Sequence, residues 1–251
     1  MLKKALITIL LIATLSYANT KPILIFYCGS TMVKPITKIS KIVEKKHNCT
    51  IYIKKGGSKT LYTILKSKKV GDLYLPGSNS YRKKNLEDGF LLDSQYIGFN
   101  KAAIFVQKGN PKGIKNLDDL LRKDINTILC NPYSGSIGKM TKKLLTKYKG
   151  AAFLEDAYDR AVDIATQSKM INNSLIKKEM DLSINWRATA FWSDNAKYID
   201  IIEIDNSIAP KKKLVINLLS FSKHPNIAKD FMKIAASQTG QEIMRKYGFL
   251  E

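Results

Sequence analysis

With 251 residues, 45% of them hydrophobic, the chain can bury one large core or two smaller ones, which excludes a disordered or fibrous protein. A formal net charge of +21 favours an anionic partner. Much of that charge is lysine scattered along helices, as at Lys41, Lys45 and Lys46, and no RNA- or DNA-binding motif is present, so nucleic acid is not the expected partner.

Residues 1–18 read as a signal peptide. Lys3 and Lys4 form a basic n-region, residues 5–15 an apolar h-region, and Ser16-Tyr17-Ala18 a small-x-small cleavage site. The apolar run is too short to span a bilayer, and no later run reaches about 18 apolar residues. The mature protein is therefore expected to be soluble, exported and periplasmic. No cysteine follows the cleavage site, so no lipid anchor is expected.

Strands and helices then alternate. Residues 23–27 read as a strand and 32–46 as an amphipathic helix with Ile36, Ile39 and Val43 on one face. A strand over 50–54, a helix over 59–67 with Leu61, Ile64 and Leu65 apolar, and a strand over 71–75 follow. The break Pro76-Gly77 leads to a short helix over 81–88. Residues 101–107 form a strand, and Asn116 caps a short helix carrying Asp118 and Asp119 in its first turn. A strand is expected over 125–129, with helices over 139–148, 157–167 and 174–178. Strands fall at "DLSINW", "IDIIEI" and "KLVINLL", and two helices end the chain. Such alternation implies an α/β fold with a mainly parallel sheet and helices on its faces.

Three of these strands run into small polar turns that open helices: Cys28-Gly29-Ser30-Thr31, Gly56-Gly57-Ser58 and Ser134-Gly135-Ser136-Ile137-Gly138. Unsatisfied amides and partial positive charge at a helix N-terminus favour an anion, and ligands of open parallel sheets bind beyond the carboxyl ends of strands. A single turn of this kind reads equally as a helix cap at Ser30. Three of them suggest convergence on one anion. There is no phosphate-binding GxxxxGK[ST], no GxSxG, no HExxH and no CxxC pair. The two histidines, His47 and His224, read as surface residues. No metal, no cofactor and no catalysis are expected. Cys28, Cys49 and Cys130 are expected as free thiols, because parallel pairing would hold Cys28 and Cys49 at opposite ends of the sheet.

The layout resembles the type II periplasmic substrate-binding proteins of ABC transporters, in particular the molybdate, tungstate and sulfate binders. "GDLYLPGS", "AAIFVQKGNPKGIKNLDDL" and "ASQTGQEIMRKYGF" carry the likeness, the last two marking the scaffold rather than the ligand. The resemblance implies two lobes around a ligand cleft: 19–99 plus 211–251, and 100–210, joined by crossings near 98–102 and 205–213. It implies a hinge-closing monomer that captures a small anion for an ABC transporter permease. The anion would be molybdate, tungstate, sulfate, or a small phosphorylated or carboxylated species. A sensor partner or adhesin using the same cleft is the alternative. The family's pattern places the anion on Gly29, Ser30, Thr31, Gly57, Ser58, Ser134, Gly135 and Ser136. Where the family carries a tyrosine, this sequence has Asn185, Trp186 and Arg187. Asn185 and Arg187 are therefore expected in the site, and Trp186 in the core or the cleft wall.

Overall fold

A computed structural model describes residues 21–133 and 135–251. The expected signal peptide lies outside them. Two five-stranded sheets carry the fold. In the first, β1 (Ile23–Gly29) pairs in parallel with β2 (Thr50–Gly56) and β3 (Leu73–Leu75). The other two strands are β4 (Leu91–Asn100) and β10 (Lys212–Leu219), and β10 runs antiparallel between β3 and β4. The second sheet has the order β7-β6-β8-β5-β9, built from β5 (Ala102–Gln107), β6 (Thr127–Cys130), β7 (Asp163–Ala165), β8 (Leu182–Trp186) and β9 (Ile199–Ile202).

Helix α1 (Val33–His47) buries Ile36, Ile39 and Val43, as its periodicity predicts. With α6 (Pro225–Ala236) and α7 (Gln238–Lys246) it covers one face of the first sheet, where Phe26 meets Phe231 edge-to-face at 5.1 Å between ring centroids. Helix α2 (Ser58–Lys68) covers the other face through Leu61, Tyr62 and Leu65. Ile64, read as part of its apolar face, is exposed instead. Helices α4 (Gly135–Asp159, broken at Lys149 and Gly150) and α5 (Ser168–Ile176) pack on the second sheet. Asn116 caps the short helix at Leu117–Leu121: its side chain accepts from the Asp118 amide at 2.8 Å, and Asp119 accepts from the Asn116 amide at 3.0 Å.

Three elements differ from the sequence reading, one of them α5, which begins at Ser168 rather than at 174. The helix expected over 157–167 ends at Asp159, and β7 follows it as a parallel edge strand on β6. Three residues are too few to show a period. β4 was not anticipated, because its first half is mostly exposed and lacks strict alternation. All three cysteines are buried, Cys28 and Cys49 are free thiols, and the register that pairs Cys28 with Lys55 and Ile23 with Thr50 keeps Cys28 far from Cys49.

The chain passes between the sheets at Lys101 and again between β9 and β10. One carboxylate ties these passages together. Glu203 accepts from Lys101 Nζ at 3.0 Å and from Arg187 Nε at 2.5 Å. Arg187 also donates through an Nη to the Gly248 carbonyl at 2.6 Å, and its amide donates to the Lys101 carbonyl at 2.9 Å. Burial works against the charge on Glu203, but the hydrogen bonds from Arg187 and Lys101 outweigh it and hold the carboxyl below the usual glutamate range.

Glu203→Ala should therefore destabilise the fold by about 2 kcal/mol. That is less than the ~3–5 kcal/mol for breaking a fully buried pair, because the Glu203 side chain is 44% exposed. Since the folded pKa is depressed, this stabilisation is present above the unfolded value and is lost as pH falls through the folded one. Urea unfolding of both proteins should show the difference at neutral pH and its disappearance in acid.

Candidate functional site

The register sets Gly29, at the end of β1, beside Gly56, at the end of β2. Cys28 pairs with Leu75, so the Pro76-Gly77 turn after β3 emerges at the same edge. These turns pack closely. A Cβ on Gly29 would stand 2.5 Å from the Met32 methyl and 3.4 Å from the Gly77 nitrogen. Ser58 Oγ accepts from the Gly77 amide at 3.0 Å, and Tyr74 donates its hydroxyl to the Ser58 carbonyl at 2.9 Å.

Neither α1 nor α2 carries a side-chain cap, and Ser30 caps nothing: it opens a short 3-10 turn, Ser30–Met32, ahead of α1. In α2 the first amide bonded back into the helix is that of Leu61, to Gly57 at 3.0 Å. The amides of the first turn, Ser58 to Thr60, therefore have no intrahelical carbonyl to use. On the other side, α4 opens at Gly135. Ser136 Oγ accepts from Trp186 Nε1 at 3.3 Å. Gly138 is pressed on the end of β6, where a Cβ would lie 1.8 Å from the Asn131 carbonyl oxygen.

A cavity of about 590 Å³ lies between these elements. Gly29, Ser30, Thr31, Gly57, Ser58 and Ser136 line it, as the sequence reading expects of those six. Ser134 lies outside the described residues, and of Gly135 only its place as the first residue of α4 is described.

Asn185 and Arg187 are corrections. Asn185 is fully buried on β8 and faces α5. It donates to Asn172 Oδ1 at 2.8 Å and to the Ser168 carbonyl at 3.1 Å, and it accepts from the Ser168 hydroxyl and from the Trp186 amide. Side chains alternate along a strand, so with Trp186 on the cavity Asn185 falls on the opposite face. Arg187 is spent on Glu203 and Gly248, with its guanidinium 4.7 Å from the Phe191 ring centroid. It supports the passage between sheets and does not line the cavity. Cys28 does not line it either, and burial pushes its thiol pKa up, which keeps it protonated.

Sequence reasoning missed other members of the wall. Gly77 and Ser78 come from the turn after β3, whose small polar composition matches the three turns that were singled out, and Ser80 and Tyr81 open the short helix α3 (Ser80–Asn85) that follows it. Lys59, Lys139 and Lys212 also line the cavity, and among the described residues no carboxylate does. Burial, with Lys143 nearby, lowers the Lys212 pKa. Its ammonium lies 5.8 Å from the Trp186 ring centroid. His47 is paired with Asp230 at 2.6 Å, away from the cavity. Among the described residues no cluster of three or more His, Cys, Asp or Glu could hold a metal ion. What the cavity offers is fixed donors and positive charge.

The model of the bacterial extracellular solute-binding protein family matches residues 24–250. The chain belongs to that family. The resemblance to type II periplasmic binding proteins is thus borne out for family and fold. A Haemophilus influenzae protein named "Putative binding protein" is 23% identical over 229 residues, covering 90% of each chain. Among solved structures, the "substrate binding domain of putative molybdenum ABC transporter" from Clostridium difficile aligns with a TM-score of 0.77 at 17% identity, over 92% of this chain and 99% of that one. The periplasmic molybdate-binding protein of Azotobacter vinelandii aligns with a TM-score of 0.71 at 14% identity, over 91% and 99%. At these identities the structural likeness shows the fold.

Gly138→Ala should misplace the start of α4, because a carbonyl oxygen stands where its methyl would go. A loss of about 1–3 kcal/mol is expected from such overpacking. Thermal melting of Gly138→Ala beside wild type checks it.

Proposed function

We propose that this protein captures a small anion in the cavity between its two sheets and delivers it to the permease of an ABC transporter. The observation that carries this reading is the convergence of the uncapped α1 and α2 turns and the start of α4 on a cavity lined, among the described residues, by three lysines and no carboxylate. Each helix start presents free amides and about half a positive charge, and the hydroxyls of Ser30, Ser58 and Ser136 add neutral donors. Fixed donors in a cleft that sheds water on closing hold an anion without chemistry. The donor set suits an oxyanion such as molybdate, tungstate or sulfate, or a small phosphorylated or carboxylated anion.

Residues 19–99 with 211–251, and residues 100–210, act in this reading as lobes that close by a hinge at the two passages. The protein acts in this reading as a monomer. Export to the periplasm follows from the signal-peptide pattern over 1–18 and from the family's extracellular character.

A thermal-shift screen over molybdate, tungstate, sulfate, phosphate and small organic acids should reveal a stabilising anion, since a ligand at 100 times its Kd adds about 2.7 kcal/mol. Calorimetry with that anion should show Ser30→Ala and Ser58→Ala each weakening binding by about 0.5–1.5 kcal/mol, the worth of one neutral donor. Unchanged affinity in both variants would remove the turns from the site.

A further inference from the structure

We propose that the end of the first sheet opposite the anion cavity is a docking surface for a membrane that exposes anionic phospholipid, with Lys21, Lys69 and Lys223 as its headgroup contacts. None of the three lines the anion cavity, so this surface and the anion site are independent.

Topology gathers this surface. Gly29, the last residue of β1, lines the anion cavity, whereas Ile23 and Ile25 line a second cavity of about 380 Å³ at the start of the strand. At about 3.3 Å per residue, roughly 20 Å of strand separates Ile23 from Gly29. Helix α2 runs away from the anion cavity and ends at Lys68, so Lys69 and Val70 fall at the far end. β10 runs antiparallel to β3, and its last residue, Leu219, donates its amide to the Asp72 carbonyl at 2.9 Å. That contact brings Phe221, Lys223 and His224 to the same place. Lys21, Lys69, Lys223 and His224 thus line the second cavity, and among the described residues Asp72 is its one carboxylate.

Asp72 is buried and already engaged. It accepts from the Ile25 amide at 2.8 Å, the Ser222 hydroxyl at 2.6 Å and the His224 amide at 3.3 Å. At the same end of the fold, Lys46 and Lys66 are paired with Asp230 and Asp88. Lys21, Lys69 and Lys223 are exposed and have no ion pair among the described residues. Apolar surface stands between them: Ile23 is 53% exposed and Val70 46%. Ammonium groups around exposed aliphatic side chains match the boundary of headgroups and acyl chains, where the charges meet phosphates and the apolar groups leave water. A soluble polyanion would use the charges and leave Ile23 and Val70 in water. The chain's own course points to the same occupant. Lys21 stands three residues past Ala18, the expected end of the signal peptide, so at most about 10 Å of chain separates this surface from a segment that lies in the membrane during export.

The test is co-sedimentation of the mature protein with vesicles of equimolar phosphatidylglycerol and phosphatidylcholine at low salt, beside vesicles of phosphatidylcholine alone. Wild type should bind the mixed vesicles and not the neutral ones, and added salt should release it. The triple variant Lys21→Gln, Lys69→Gln, Lys223→Gln should lose more than about tenfold in partition coefficient, since each lysine near an anionic surface contributes about fivefold. A control triple, Lys115→Gln, Lys123→Gln, Lys147→Gln, removes the same charge from exposed lysines of residues 100–210 and should bind within about twofold of wild type. All six lysines are exposed, so both variants should melt with wild type. Inorganic phosphate should release the protein no better than chloride at equal ionic strength; stronger release would mark a pocket for free phosphate. That outcome, no binding to the mixed vesicles, equal binding to the neutral ones, or equal losses in the two triples would each overturn the proposal and leave the anion reading standing.

Discussion

The Glu203 carboxylate joins the two passages between the sheets. It holds Lys101 on the first, lies itself on the second, and holds Arg187 at the end of β8. Arg187 in turn reaches the Gly248 carbonyl in the terminal turn that follows α7. Two nearly buried cations would be unfavourable alone, and the shared carboxylate offsets them. The mutual placement of the two sheets, and with it the shape of the cavity, depends on this cluster. Ala188, next to Arg187, packs into the core of the first sheet and reinforces the same junction.

The cavity has the opposite character, because folding leaves its polar groups incomplete. Among the described residues, α1 and α2 lack side-chain caps, the cavity lysines meet no carboxylate in its lining, and Asn100 Oδ1 lacks a donor. In a core each of these would be a defect, since buried polar groups are ordinarily paired. Gathered around one space, the uncapped helix starts and the lysines are what the proposed anion reading rests on. Close backbone packing makes the gathering feasible. Gly29 and Gly138 let a turn and a strand end approach to distances that a methyl would forbid.

Asn185 and Arg187 show how the same residue types serve either structure or binding. Both were read as ligand contacts because they stand in the region where the resembled family carries a tyrosine. The strand's alternation sent Asn185 toward α5, where a full set of hydrogen bonds consumes it. Arg187 entered the 3-10 turn and met a carboxylate sixteen residues away in sequence. Lys212, which no motif marks, occupies the cleft that Arg187 was expected to fill.

The sequence by itself determined the elements and their class. Apolar periodicity set α1, β1 and β2. Small residues at strand ends marked the turns, and the terminal "ASQTGQEIMRKYGF" pointed to the family. These are local properties, readable because a strand–turn–helix unit is specified by neighbouring residues. Tertiary structure alone decided which polar side chains face the cavity. Whether Asn185 or Trp186 points inward depends on which face of β8 the other sheet lies against. Whether Arg187 is free depends on Glu203. Lys212 and Asn100 meet only through an antiparallel register between strands more than a hundred residues apart. Partners so distant in sequence leave no local pattern, because their contact arises from the packing of whole elements.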